Sequence, residues 1–179
     1  MDEKTFTTLI ALFSAVGGFV GKSLWDYYFG LKADRAKLLL NKKVDFLERQ
    51  LSEFYYPIYL RLQKDNVVWR RILDTREEDG SLKQKVGGGI EKNTVLPNHA
   101  EIVQIIEKHI HLAQADEKLF GLLLQYINHI SVYRAIRDAG EYKVFPLELG
   151  EAYPNDLFAE VQRRTLQLQS EYNKLIEIS

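Results

Sequence analysis

The side chains that could carry acid–base chemistry in this chain are few, and the imidazoles of His99, His109, His111 and His129 come first. A helical ribonuclease places an arginine about five to seven residues before a histidine, so that one site combines proton transfer with charge for the phosphorane. No arginine lies at that distance before any of the four histidines. The reversed pair His129 and Arg134 is a weak substitute. A divergent membrane-bound ribonuclease is therefore only an alternative interpretation.

Metal and nucleotide sites are not indicated either. His109 and His111 are two residues apart and project from different faces of a helix, while Glu107 shares a face with His111 but completes no ligand set. The glycines at 87–89 lack the preceding strand and the Gly-Lys-Ser/Thr sequence of a phosphate loop. The chain contains no cysteine. We predict no catalytic residue, metal or cofactor, and expect a protein that is not an enzyme.

The element that dominates the sequence is an N-terminal apolar segment. Between Lys4 and Lys22 lie 17 residues without a charge, and apolar residues resume from Leu24 to Leu31. A helix needs about 20 apolar residues to cross a bilayer. The pattern predicts that residues 1–31 form a single transmembrane helix, with Trp25, Tyr27 and Tyr28 at the membrane interface.

This predicted span has two unlike faces when its residues are placed about 100° apart. One face carries small and polar residues together with one lysine and one tryptophan, namely Thr7, Ala11, Ser14, Gly18, Gly21, Lys22 and Trp25. The opposite face carries large apolar residues, namely Phe6, Leu9, Phe13, Val16, Val20 and Leu24. Polar groups inside a membrane are costly unless they meet protein or water. The small and polar face therefore either lines a pore or packs copies of the helix closely, as small-xxx-small pairs commonly do.

The charges that flank the span predict its orientation. Only Lys4 and the amino terminus are positive before it, whereas six positive residues lie within 32–50. Positive residues stay in the cytoplasm. We therefore expect a single-pass protein of the inner (cytoplasmic) membrane, with its N-terminus outside and residues 32–179 in the cytoplasm. The net charge of −1 gives no strong signal for nucleic-acid binding.

Residues 32–179 are predicted to form a cytosolic bundle of about five helices, so the fold class is all-α. Heptad-like spacing predicts contacts within the bundle or between subunits at Leu40, Val44, Leu47, Leu51 and Phe54. Pro57 should kink or restart its helix, and the glycine-rich region near 80–97 should be a flexible loop. Asn98 and Asp116 are candidate N-caps, and Gly140 should end a helix.

This organisation resembles that of the small accessory membrane proteins of type VI-B CRISPR systems. The resemblance covers the whole chain and rests on residues 5–21, 40–51 and 54–59, without a diagnostic motif. The arginine–histidine motif that groups that family with helical ribonucleases does not occur here in the expected order. The resemblance implies a ring-shaped homo-oligomeric membrane pore that supports RNA-guided antiphage defence, in functional partnership with a CRISPR effector nuclease.

A different class of function fits the same elements. A tethered helical domain could recruit a cytosolic partner to the membrane, in which case the span is only an anchor and membrane lipid is its only immediate contact. The oligomeric mass in detergent separates the two interpretations, because a pore requires a ring.

Overall fold

The computed structural model describes the backbone of residues 3–70 and 82–177. It describes the side chains of Lys22, Trp25, residues 27–70 and residues 86–177. The chain divides into two units, one that ends at Val44 and one that begins at Asp45. The described residues are helical without a strand, which confirms the all-α prediction.

Six α-helices make up the described part of the chain, and two short π-helical turns join four of them in pairs. The helices are α1 (Glu3–Arg49), α2 (Tyr56–Val68), α3 (Leu82–Ile90), α4 (Leu96–His109), α5 (Glu117–Asp138) and α6 (Leu157–Ile176). The π-helical turns are Gln50–Tyr55, between α1 and α2, and Glu91–Val95, between α3 and α4. The described residues therefore form about four continuous helical rods, not a span followed by about five bundle helices.

The first helix does not stop where the sequence suggests. We expected a second helix after Gly30, but α1 continues through this residue as far as Arg49. A glycine inside a helix costs about 1 kcal/mol relative to alanine without breaking the hydrogen-bond ladder. The end of the predicted span at residue 31 is therefore not a helix end.

Much of the predicted span lies outside the described residues, including the side chains of Thr7, Ala11, Ser14, Gly18 and Gly21. Of the predicted small and polar face, only Lys22 and Trp25 are described, and both are exposed. Within the described residues, no helix combines the length and apolar content that crossing a bilayer requires.

The predicted restart at Pro57 is present and follows a π-helical turn. Pro57 lies in the first turn of α2, where a missing N–H group removes no hydrogen bond from the helix. Of the five heptad positions, Leu47, Leu51 and Phe54 are buried. Leu40 and Val44 are only half-buried. The C-terminal half of the predicted seam thus belongs to the core of the unit that begins at Asp45.

The region near 80–97 differs most from the prediction of a loop. From Leu82 the structure is helical through α3, the second π-helical turn and α4. Pro97 is tolerated because it lies in the first turn of α4. Asn98 is accordingly not an N-cap: it is buried within α4, and its Nδ2 donates to the Arg61 carbonyl at 3.0 Å.

The ends of α5 follow the sequence closely. Asp116 caps its N-terminus, with Oδ1 accepting a hydrogen bond from the Leu119 N–H at 2.9 Å. Gly140 ends the helix with a φ of 80°, and the Glu141 N–H donates to the Ile136 carbonyl at 3.1 Å. This is the Schellman arrangement that a glycine after the last turn favours.

The core lies between α2, α4, α5 and α6. Its large buried side chains include Phe54, Ile58, Leu62, Ile102, Ile106, Leu119, Leu123, Ile130, Leu157 and Val161. Two polar residues of the first π-helical turn reach across this core to the end of the α4 rod. Gln50 Nε2 donates to the Leu112 carbonyl and Tyr55 Oη donates to the Ala113 carbonyl, both at 2.6 Å. They pair carbonyl groups that would otherwise be buried without a partner.

The Tyr55 hydrogen bond provides a direct test of this connection. We expect Tyr55→Phe to lower the free energy of unfolding by about 1–3 kcal/mol, because it leaves the Ala113 carbonyl buried and unpaired. Tyr59→Phe is the matched control, since among the described residues the one hydrogen bond of Tyr59 Oη is a 3.5 Å contact with Gln162 Nε2. Urea unfolding followed by circular dichroism measures both variants. An equal decrease in the free energy of unfolding in the two variants would contradict a stabilising hydrogen bond between Tyr55 and Ala113.

Candidate ligand pocket

A cavity of about 510 Å³ opens between α2, α4, α5 and the segment that follows α5. Its lining combines aromatic and aliphatic side chains with a carboxylate and two imidazoles. The lining residues are Asp65, Asn66, Trp69, Val95, His99, His129, Tyr133, Phe145, Pro146, Leu147, Ala152, Tyr153 and Asn155. A mostly apolar pocket of this size with a few convergent polar groups is typical of small-molecule sites.

Asp65 is the most unusual member of this lining. Its side chain is only 9% exposed, and neither carboxylate oxygen accepts a hydrogen bond of normal geometry from the described residues. His99 Nδ1 lies 3.4 Å from Oδ2. Burial raises the pKa of Asp65 to about 6, and the nearby Asn98 amide opposes that rise. A carboxylate in this setting is costly to ionise and well placed to accept hydrogen bonds.

His99 extends the polar cluster into the core. Its Nδ1 forms a 2.6 Å hydrogen bond with Tyr126 Oη, and Tyr126 is completely buried. Burial lowers the pKa of His99 to about 4, and the His129 charge acts in the same direction. At neutral pH the imidazole is therefore uncharged and provides no positive charge beside Asp65, whose pKa is lowered slightly by the charge of Lys64.

His129 contributes the second imidazole from α5. Its Nδ1 lies 2.9 Å from the Glu151 carbonyl, which can only accept, so Nδ1 carries the proton. That tautomer leaves Nε2 as an acceptor. Burial lowers the pKa of His129, which favours the neutral ring. Tyr153 packs edge-on against this ring, with centroids 5.3 Å apart.

One wall of the pocket is held by a buried ion pair. Arg137 Nε donates to Glu91 Oε1 at 2.7 Å, and both side chains are almost completely buried. Tyr133 Oη donates to the same carboxylate oxygen. Arg137 Nη1 also donates to the carbonyls of Glu141 and Val144, at 2.6 and 2.8 Å. The guanidinium thereby fixes the segment that carries Phe145, Pro146 and Leu147 to the pocket.

The other residues that the sequence suggested for chemistry are not brought together here. Arg134 is exposed and does not line the pocket that His129 lines. Five residues along a helix turn through about 140° net, which separates their faces. His109 and His111 lie elsewhere, with His109 Nδ1 at 3.3 Å from Glu53 Oε2. Among the described residues, no group of three potential ligands could hold a metal ion.

Comparison with known proteins finds no matching family model, no similar curated protein and no similar solved structure. The interpretation of the pocket and of the first helix therefore depends on their own geometry and chemistry.

Sequence reasoning missed Asp65, although a signal was present. Ile58, Leu62, Asp65 and Trp69 are spaced by four, three and four residues, so they share one face of α2. An acidic residue on an otherwise apolar helix face indicates that the face is not fully buried or that the residue is a functional group. The pocket itself could not be predicted, because its other walls come from α4, α5 and a connecting segment.

The raised pKa of Asp65 predicts a pH-dependent stability difference. The folded chain binds the Asp65 proton at pH values near 6, whereas the unfolded chain releases it above about 4. The contribution of Asp65 to the free energy of unfolding therefore falls as pH rises from 4 to 6. Asp65→Asn lacks this loss. We therefore expect its free energy of unfolding to exceed that of wild type by about 2–3 kcal/mol at pH 7 and to equal that of wild type near pH 4.

The matched control for this comparison is Asp45→Asn, which removes an exposed carboxylate. Its stability difference from wild type should stay within about 0.5 kcal/mol across the same range. Urea unfolding at several pH values measures each difference. A constant difference for Asp65→Asn from pH 4 to 7 would refute the burial argument.

The Glu91–Arg137 pair predicts strong energetic coupling. We expect Glu91→Gln and Arg137→Met each to lower the free energy of unfolding by about 3–5 kcal/mol, because each leaves a buried charge without its counter-charge. The double variant should cost clearly less than the sum of the two. The control cycle is Arg61→Met with Glu101→Gln, a more exposed pair that should couple by about 1 kcal/mol or less. If the two decreases in the free energy of unfolding are additive in the double variant, Glu91 and Arg137 are not energetically coupled and the prediction is wrong.

Proposed function

We propose that this protein is a homo-oligomeric membrane protein that forms a pore with its first helix and supports RNA-guided antiphage defence. The observation that carries the membrane part is a belt of exposed apolar side chains on α1. Trp25, Tyr27, Tyr28, Phe29 and Leu31 are each between 45% and 67% exposed. At 100° per residue these five positions span an arc of about 200° around the helix, which is wider than the stripe that packing against one neighbouring element covers.

Such a belt fits the edge of a bilayer. Contiguous exposed patches of large apolar and aromatic residues mark surfaces that contact protein or membrane. Lys32 Nζ lies 4.5 Å from the Tyr28 ring centroid, and Trp25 packs on Phe29 with centroids 4.3 Å apart. Aromatic rings beside lysine are typical of the headgroup level. The uncharged stretch between Lys4 and Lys22 precedes this belt on the same helix.

The pore and the oligomer follow from the two faces of that stretch. The face of Thr7, Ser14 and Gly18 is small and polar, and a ring of helices would direct it to water or to close helix contacts. Lys22 then either reaches the headgroups or forms a charged ring at the cytoplasmic mouth. The defence role, including functional partnership with a CRISPR effector nuclease, rests on the resemblance in organisation alone.

Dye release from liposomes tests the pore. We expect the full-length protein to release carboxyfluorescein, and Ser14→Leu with Gly18→Leu to reduce the initial rate about tenfold or more, because the enlarged side chains would occlude the lumen. The matched control is Phe13→Leu with Val16→Leu, on the opposite face, which should release dye at the wild-type rate. Flotation with the liposomes verifies that all three proteins insert.

Three outcomes would each reject a part of the proposal. Equal release by the two double variants would reject the small and polar face as the lumen. Insertion without release, together with a monomer or dimer in detergent, would favour the membrane-tethered adaptor. A variant lacking residues 1–31 should no longer float with liposomes, and its continued flotation would reject the anchor itself.

A further inference from the structure

We propose that the Asp65 pocket binds a small planar compound with a cationic, N–H-rich edge, such as an amidine or an aminated heterocycle. This site is separate from the membrane function, because its lining comes entirely from residues 65–155. The first argument is the carboxylate. Asp65 is nine-tenths buried and lines the cavity, and its two oxygens accept no hydrogen bond of normal geometry from the described residues. A ligand with two N–H donors on one edge would pair both oxygens.

The second argument is the sign of the remaining polar groups. His129 Nε2 is an acceptor because Nδ1 carries the proton toward Glu151. The pocket lining within the described residues contains neither lysine nor arginine. Burial keeps His99 and His129 uncharged at neutral pH by lowering both pKa values. This set of groups disfavours phosphates and carboxylates, and it complements a donor or a cation.

The third argument is the shape of the walls. Trp69, Tyr133, Phe145 and Tyr153 provide aromatic surface around the carboxylate. Aromatic faces stack on planar rings and attract a cation that approaches them. Trp69 follows the last residue of α2 with helical dihedral angles and lies four residues beyond Asp65, so a ring placed against the indole can direct its edge toward the carboxylate.

The cost of Asp65 to the fold supports the same conclusion. Its carboxyl group has a pKa of about 6, so most of the population is ionised at neutral pH, and the Asn98 amide and the Lys64 charge offset the cost of burial only in part. Incompletely compensated buried charge is retained chiefly at functional sites. A bound cation would supply the missing compensation.

Three probes of nearly identical shape test the charge requirement. Benzamidine carries a planar amidinium, benzamide is its neutral analogue, and benzoate reverses the charge. Isothermal titration of the full-length protein in detergent at pH 7.5 should give a Kd for benzamidine of about 1 mM, as expected for so small a ligand. Benzamide should bind at least threefold more weakly, and benzoate should show no saturable binding.

Two variants locate the site. Asp65→Asn should weaken benzamidine binding at least tenfold while retaining the shape of the pocket. Leu147→Trp should also weaken it, because Leu147 lines the pocket and is 69% exposed, so a larger side chain obstructs the cavity without disturbing the core. Asp45→Asn, with an exposed carboxylate, is the control and should bind as wild type. NMR signals of the His129 ring should shift on titration in wild type and in Asp45→Asn, but not in Asp65→Asn.

The opposite results are unambiguous. Wild-type affinity in Asp65→Asn overturns the proposal, and so does benzoate binding as tightly as benzamidine. The absence of both heat and imidazole shifts at 10-fold the expected Kd overturns it as well. If Asp65→Asn fails to fold, the three probes are titrated into wild type and Leu147→Trp. Preference for benzamidine that is lost in Leu147→Trp supports the proposal, and equal binding of the three probes overturns it. Liposome dye release does not depend on this site, so failure here leaves the pore proposal to its own test.

Discussion

The buried ion pair between Glu91 and Arg137 is the interaction on which the compact part of the molecule most depends. Two opposite charges this far from water are tolerated only when their remaining hydrogen-bonding groups are paired. Here Tyr133 and the carbonyls of Glu141 and Val144 provide most of those partners. One guanidinium thus connects the second π-helical turn, α5 and the segment after it. Without that connection, the wall formed by residues 145–147 would have no fixed position over the pocket.

Two prolines explain why π-helical turns, and not loops, precede α2 and α4. In each case a π-helical turn is followed by a helix with a proline in its first turn, at Pro57 and Pro97. A π-helical turn lets the chain accommodate the proline ring without ending the rod. It also directs polar residues inward, with Gln50 from the first turn and Glu91 from the second. Both then pair with distant parts of the chain.

Local rules predicted some of these features from the sequence and failed at others for identifiable reasons. Asp116 as an N-cap and Gly140 as a helix end were predictable, because each depends on neighbours within one turn. The helix through the glycines at 87–89 was not, since burial of Glu91 against α5 outweighs the low helix propensity of glycine. Asp65 could have been noticed from its position on the apolar face of α2. The cavity around it depends on long-range packing that periodicity does not encode.

Fold stability and the proposed ligand recognition place opposing demands on Asp65. Random substitution followed by selection for heat resistance alone would replace Asp65 early, since a neutral residue of similar shape lowers the cost of folding at neutral pH. Such a variant would keep its helices and its core. It would lose only the buried carboxylate of Asp65, the group to which the proposed ligand recognition is assigned. The chain therefore cannot combine the highest thermal stability with a carboxylate for the proposed cationic ligand at position 65.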